Sequence, residues 1–324
     1  MRIFFIATLL FVFIGCSNEK QNNILQQPPY AELTDSIRQF PQNSALYYKR
    51  GVLLYQQDQR DLAKTDLMQA WQLAPQEDYA LSLTTLLKQQ HTDSAIIFLQ
   101  KATQTLPASI ALQIGLARGY QQKNDFEKAL EICNNIIKQY PNQLDALVLK
   151  SEILQQQNNN AEAITTLEQA YAFAPFDIDI AHELAYAYAE AKNKKVLSLT
   201  DTLIKYDQSE KAAIAWYIKG LYFDNTGNKA EAIKHYDQAI RQNYTLLDPY
   251  LSKGQALYDL KKYNEAIITF QLGQKVSPTT ADFFYWIGKT QEAMGNKAEA
   301  KQNYERAYQL DKTMTEARQA AEKL

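Results

Sequence analysis

The residues able to do chemistry in this chain are few and scattered. Its three histidines, His91, His182 and His235, stand far apart. His182-Glu183 opens like a zinc-protease helix, in which a second histidine four residues on completes the ligand pair, but that position is Tyr186. Zinc needs three or four convergent ligands, so no metal site is expected. His182 is expected on a binding surface and His235 on the outside. Asp177-Ile178-Asp179 lacks the glycine and the terminal glutamate of a calcium loop. It is expected to start a helix, where carboxylates meet the positive end of the macrodipole. The chain has no phosphate-binding loop, no dinucleotide-binding glycine run and no nucleophile–base pair at useful spacing. It is expected to need no cofactor and to be no enzyme.

Two cysteines remain. Cys133 occupies an apolar position without a disulfide partner and is expected to pack as a small hydrophobe. Cys16 differs. An almost unbroken apolar run, Ile3 to Ile14, follows Arg2 and ends in Phe13-Ile14-Gly15-Cys16. The run is shorter than the ~20 residues that span a bilayer and matches the hydrophobic core of an export signal. A small residue directly before a cysteine at the end of such a signal resembles the lipobox of bacterial lipoproteins, with Phe13 where leucine is commonest. The resemblance implies cleavage before Cys16, a diacylglycerol on its sulfur and an acylated, palmitate-type amino terminus. Several acyl chains anchor stably where one is marginal. By analogy with lipoprotein sorting, Ser17 after the cysteine implies the outer membrane. The expectations are a signal peptide over 1–15, a lipidated cysteine and flexible tether over 16–27, and a place in the bacterial cell envelope, on the outer membrane facing the periplasm.

The elements that carry these residues follow from composition and repetition. The formal charge is −2 and no basic stripe is present, so nucleic-acid binding has no electrostatic support. With 10 glycines and 9 prolines in 324 residues, long loops are disfavoured and helix is expected throughout. The hexapeptide from Gly227 to Ala232 recurs unchanged from Gly295 to Ala300, an offset of 68, or twice 34. A fixed period of 34 marks an array of helix–turn–helix units. Gly51/Ala63, Gly220/Ala232, Gly254/Ala266 and Gly288/Ala300 each lie 12 apart, and the last three glycines are spaced by 34. Small residues are wanted where two antiparallel helices approach most closely. An aromatic precedes the glycine position by four (Tyr47, Trp216, Tyr250, Phe284). A bulky apolar residue follows the alanine by four (Leu67, Tyr236, Phe270, Tyr304), and Pro75, Pro107, Pro141, Pro175 and Pro278 close second helices.

These positions together resemble the tetratricopeptide repeat. The resemblance implies an all-α fold: a right-handed superhelical solenoid of about eight helix–turn–helix repeats over 44–314. Half-repeat caps are expected at 28–43 and 315–324, to cover the end faces. Two units depart from the pattern. The second has lost two residues, and the fifth has Val196 in place of alanine, a shortened turn and no closing proline.

In this family the first helices line a concave groove. Carried over residue by residue, the resemblance implies Tyr48, Tyr55, Arg118, His182, Tyr186, Tyr217, Leu221, Tyr258, Tyr285 and Lys289 as a partner-binding face. Tyrosine offers large contact area at low entropic cost, which suits protein or peptide partners. The lysine and asparagine with which chaperone-adaptor members hold a peptide carboxylate are absent from the matching positions, for example Tyr48/Val52 and Leu251/Gln255. The expected function is a membrane-anchored adaptor or scaffold, serving secretion, outer-membrane assembly or peptidoglycan-enzyme scaffolding. The alternatives are a structural homo-oligomer and a carbohydrate-binding envelope protein. The oligomeric state is left open.

Overall fold

A computed structural model describes residues 24–90, 92–206 and 212–324. Cys16, the export signal and His91 lie outside the described residues. Eighteen helices of nine or more residues, and no strand, are found among them. Two compact units result, one ending at Ile153 and the other beginning at Leu154.

Each helix is written into its ends. Asn43, Ser109, Asp125, Asp177 and Asn228 are N-caps whose side chains accept from backbone N–H groups of the first turn. Asp177, the residue tested above as a calcium ligand, accepts from the amides of Asp179 and Ile180 at 3.0 and 3.1 Å. Outside the second repeat, each turn between the two helices of a repeat holds one left-handed residue: Asp58, Asn124, Asn158, Lys192, Gly227, Lys261 and Gly295. From Asn124 onward these recur every 34 residues, with a single step of 35. In the second repeat only residue 91 separates the helices Glu77–Gln90 and Thr92–Thr105, against three residues in the first repeat, so the two-residue deletion falls between its helices.

In the first unit, α1 (Ala31–Gln39) packs on α2 (Ser44–Gln56), which pairs with α3 (Arg60–Leu73), followed by the helix pairs α4 (Glu77–Gln90)/α5 (Thr92–Thr105) and α6 (Ile110–Gln122)/α7 (Phe126–Gln139). Leu54, Ala63, Leu67, Leu83 and Leu86 form its first core. Ile24 and Leu25 pack against that core, and Thr34 Oγ1 donates to the Leu25 carbonyl at 2.7 Å. The tether expected over 16–27 is therefore corrected: from Ile24 onward the chain belongs to the fold, because two apolar side chains have a core to join. Arg50 fixes this end. Its guanidinium donates to both carboxylate oxygens of Asp66 (2.6 and 2.8 Å) and to Thr34 (2.9 Å), with the pair buried to 8% and 6% exposure.

In the second unit the pairs are α9 (Asn160–Phe173) after the C-terminal end of α8 (Leu144–Gln156), α10 (Ile178–Glu190)/α11 (Lys195–Tyr206), α12 (Ala212–Asn225)/α13 (Lys229–Gln242), α14 (Asp248–Asp259)/α15 (Tyr263–Val276) and α16 (Ala281–Ala293)/α17 (Lys297–Leu310). The last helix, α18 (Thr315–Lys323), buries Ala317 and packs Ala321 against Ala300 and Tyr304. The close approach read from the glycines is present. A Cβ on Gly220 would sit 2.5 Å from the Tyr236 ring and 3.3 Å from the Ala232 carbonyl oxygen. Gly254 faces Phe270 in the same way, and Gly288 faces Ala300 and Tyr304. The glycine thus makes room chiefly for the bulky residue one turn beyond the alanine. In the fifth repeat the fully buried Val196 takes the alanine's place four residues after left-handed Lys192, where other repeats use five.

Candidate protein-binding face

First helices of successive repeats lie side by side, so a side chain on one meets its counterpart about 34 residues on. In the first unit that meeting engages the polar atoms expected to bind a partner. The Tyr48 hydroxyl pairs with Ser82 at 3.2 Å, and Gln89 donates to the Tyr55 hydroxyl at 2.6 Å. Arg118 and Gln121 both donate to Glu152, at 3.3 and 3.4 Å. The ring of Tyr48 also rests on Tyr79, 4.6 Å between centroids. Tyr48, Tyr55 and Arg118 therefore tie neighbouring repeats together.

The second unit is organised differently. His182 is 6% exposed. With Ala181 and Ala185 buried beside it, its ring lies below the surface, which corrects the expectation that it lines a groove. Tyr186 and Tyr217 are half-buried and meet edge to face at 6.3 Å. The Tyr217 hydroxyl pairs with Ser252 at 3.3 Å and its ring packs on Tyr236. Leu221 packs against the core cluster of this unit. Tyr258, Tyr285 and Lys289 come together around a residue the sequence reading did not single out, Trp286. The Lys289 ammonium lies 4.5 Å from the Trp286 ring centre, 5.8 Å from that of Tyr285 and 5.9 Å from that of Tyr258. Among the described residues the Tyr258 and Tyr285 hydroxyls have no hydrogen-bond partner and Lys289 has no carboxylate partner.

Carboxylates surround these rings. Burial raises the pKa of Tyr186, Tyr217, Tyr258 and Tyr285, and nearby acidic groups raise it further: Asp248 for the first two, Glu292 for the last two. The Lys229 ammonium bridges Asp224 (2.7 Å) and Asp259 (2.8 Å), one from each of two successive repeats. The Tyr304 hydroxyl donates to Glu292 at 2.6 Å. Trp286 does not occupy a position that defines the repeat, so the sequence pattern carried no signal for it.

The remaining reactive residues are structural. Cys133 is fully buried, and desolvation pushes its thiol up to about 12. His235, expected on the outside, is instead stacked between Trp216 (5.6 Å, 21°) and Phe223 (5.1 Å, 13°) with 12% of its side chain exposed. Burial, and then the neighbouring Lys219, lower its pKa. An apolar cleft of about 450 Å³ lies apart from the tyrosine face, between Tyr171, Ile178, Leu199, Leu203 and Tyr206. At its rim Phe176 is 95% exposed.

Tetratricopeptide repeat family models match residues 44–77, 247–280 and 281–314, and a second such model matches 198–245. The model of anaphase-promoting complex, cyclosome, subunit 3 matches 88–170. The chain is a tetratricopeptide repeat protein. A DnaJ homolog subfamily C member 7 homolog from Schizosaccharomyces pombe is 22% identical over 212 residues, 64% of this chain and 40% of that protein, so the repeat protein spans less than half of this relative. A tetratricopeptide repeat protein of Parabacteroides merdae superposes with a TM-score of 0.60 at 14% identity, covering 76% of this chain and 97% of the other. PilW, a type IV pilus biogenesis factor, gives 0.53 at 18% identity over 64% of this chain and 96% of its own. The Cut9–Hcn1 hetero-tetramer of the anaphase-promoting complex gives 0.52 at 12% identity, covering 91% and 59%. At these identities the likeness concerns the fold.

Proposed function

We propose that this tetratricopeptide repeat protein is a non-enzymatic adaptor that captures protein or peptide segments on the tyrosine face of its second unit. The observation that carries the reading is the contrast between candidates tied to the next repeat and those that are not. Tyr48, Tyr55, Arg118 and Tyr217 are engaged by the next repeat, whereas Tyr258 and Tyr285 keep unpartnered hydroxyls beside half-buried rings. Half-buried aromatic side chains on a rigid helix face give contact area at little entropic cost. The double substitution Tyr258→Ala/Tyr285→Ala removes that area and leaves the Tyr217–Ser252 link intact. Partner capture should be lost while helicity is unchanged. Retained capture would refute the assignment of this face.

The adaptor is proposed to be held to a membrane of the bacterial cell envelope, the outer one facing the periplasm, by acyl chains on Cys16. The apolar run before Gly15-Cys16 supports this, and labelled palmitate that still enters a Cys16→Ser variant would refute it. Envelope work such as secretion, outer-membrane assembly or peptidoglycan-enzyme scaffolding fits such an anchor. A second reading, a structural homo-oligomer, is favoured by the Phe176 ring at 95% exposure beside an apolar cleft. Sedimentation of the chain lacking residues 1–16, with and without Phe176→Ser, separates it from the first.

A further inference from the structure

The aromatic face of the second unit carries an uneven charge. Its first helices end in Glu190 (α10), Asp224 (α12), Asp259 (α14) and Glu292 (α16), and α14 and α18 begin with Asp248 and with Glu316 beside Thr315. Carboxylates thus flank the tyrosine lane at both ends of the helices. Glu190, Asp248, Glu292 and Glu316 have no ion-pair partner among the described residues, and all four are exposed. The corresponding helix ends of the first unit are Tyr55-Gln56 on α2 and Gln121-Gln122 on α6, with no charge. A carboxylate at the C-terminal end of the first helix therefore distinguishes the second unit, whereas acidic starts occur in both units, as with Glu77 and Asp78 of α4.

The cations already on the face show what it holds. Lys229 sits between two carboxylates from successive repeats. Lys289 lays its ammonium on Trp286, flanked by Tyr285 and Tyr258. A cation over the face of an aromatic ring is attracted by the ring quadrupole, most strongly by tryptophan, and a carboxylate rim adds to that attraction. The chain's own lysines occupy both kinds of subsite.

Resting on the reading that this face captures partners, we infer that the partner segment is cationic: an extended stretch rich in lysine or arginine, its charged groups on the flanking carboxylates and its stems along the tyrosine rings. Such a segment matches the face in charge, and a matched potential also speeds encounter. An acidic segment would place like charges against Glu190, Asp248, Glu292 and Glu316.

The test uses the full-length chain in detergent and two fluorescein-labelled dodecapeptides, one with four arginines spaced by glycine and serine, the other with glutamate in their places. Anisotropy should show binding of the arginine peptide, weakening with salt, and none of the glutamate twin. The triple variant Glu190→Gln/Asp248→Asn/Glu316→Gln, all exposed sites, should weaken binding by about tenfold. Lys289→Met, which clears the Trp286 ring, should strengthen it by roughly two- to fivefold. Binding of the glutamate twin, binding of neither peptide, an arginine-peptide affinity unmoved by the triple variant, or a weaker Lys289→Met would each overturn the inference. Failure here leaves the adaptor reading standing if the Tyr258→Ala/Tyr285→Ala variant still loses partner capture. If that capture persists, the adaptor reading itself has failed.

Discussion

Replacing Gly220 by alanine tests the reason for the glycine directly, with a second glycine as its control. Gly220 lies inside α12, where alanine gains about 1 kcal/mol of helix propensity. Its new methyl, however, would sit 2.5 Å from two carbons of the Tyr236 ring and 3.3 Å from the Ala232 carbonyl oxygen. Ordinary contact needs more than a further ångström, and Tyr236 is fully buried, so the ring has no free space to enter. Overpacking of this kind costs about 1–3 kcal/mol, which leaves a net loss of up to about 2 kcal/mol against the propensity gain. Gly115, inside α6, is the control: a Cβ there meets Leu99 at 3.6 and 3.7 Å, which is ordinary contact. Gly115→Ala should therefore stabilise by about 0.5–1 kcal/mol. Urea titrations of both variants, followed by far-UV circular dichroism and tryptophan fluorescence, give the comparison. Repeat arrays unfold in segments, so hydrogen exchange at α12–α13 and at α6–α7 should assign each change locally. If Gly220→Ala stabilised as much as Gly115→Ala, close nesting would not be why glycine stands there.

Three further outcomes follow from the same geometry. Asp66→Ala leaves the Arg50 guanidinium buried without its carboxylate and should cost about 3–5 kcal/mol, whereas Arg50→Leu/Asp66→Leu should cost far less; hydrogen exchange of α1–α3 reads both, and equal costs would contradict the argument. His235 has a pKa below the usual 6.5 because burial disfavours its cation. The unfolded chain then binds the proton more readily, so this contribution is complete above pH ~6.5 and is lost as the pH falls through that value toward the folded pKa. His235→Phe should flatten the loss of stability between about pH 7 and 5; an unchanged pH profile would remove His235 as its source. Cys133, buried with its thiol pushed up to about 12, should resist Ellman's reagent until the chain is denatured, and rapid reaction of the native protein would contradict its packing role.

The fold was legible because helix pairing imposes chemistry at fixed positions. Gly220, Gly254 and Gly288 announced the close approaches, and the prolines marked the ends of second helices. The two-residue deletion in the second repeat was also visible, but its location was not: it lies between the helices Glu77–Gln90 and Thr92–Thr105. The binding face was less legible. Register places a side chain on the inner surface, but depth depends on its neighbours, which is why His182 sinks between alanines while Tyr186 stays half-exposed. Register also does not reveal when the next repeat will engage a side chain, as Ser82 does Tyr48 and Glu152 does Arg118. The stacking of His235 depended on Trp216 and Phe223 from the facing helix, a contact between helices that periodicity alone does not encode.

The central claim is that partners lie against the tyrosine face of the second unit. A photo-crosslinking residue placed in living cells at Tyr285, and separately at Ile268, which is 58% exposed on second helix α15, tests it most directly. Position 285 should yield discrete crosslinked species that position 268 does not. Crosslinks from 268 alone, or equally from both, would contradict it.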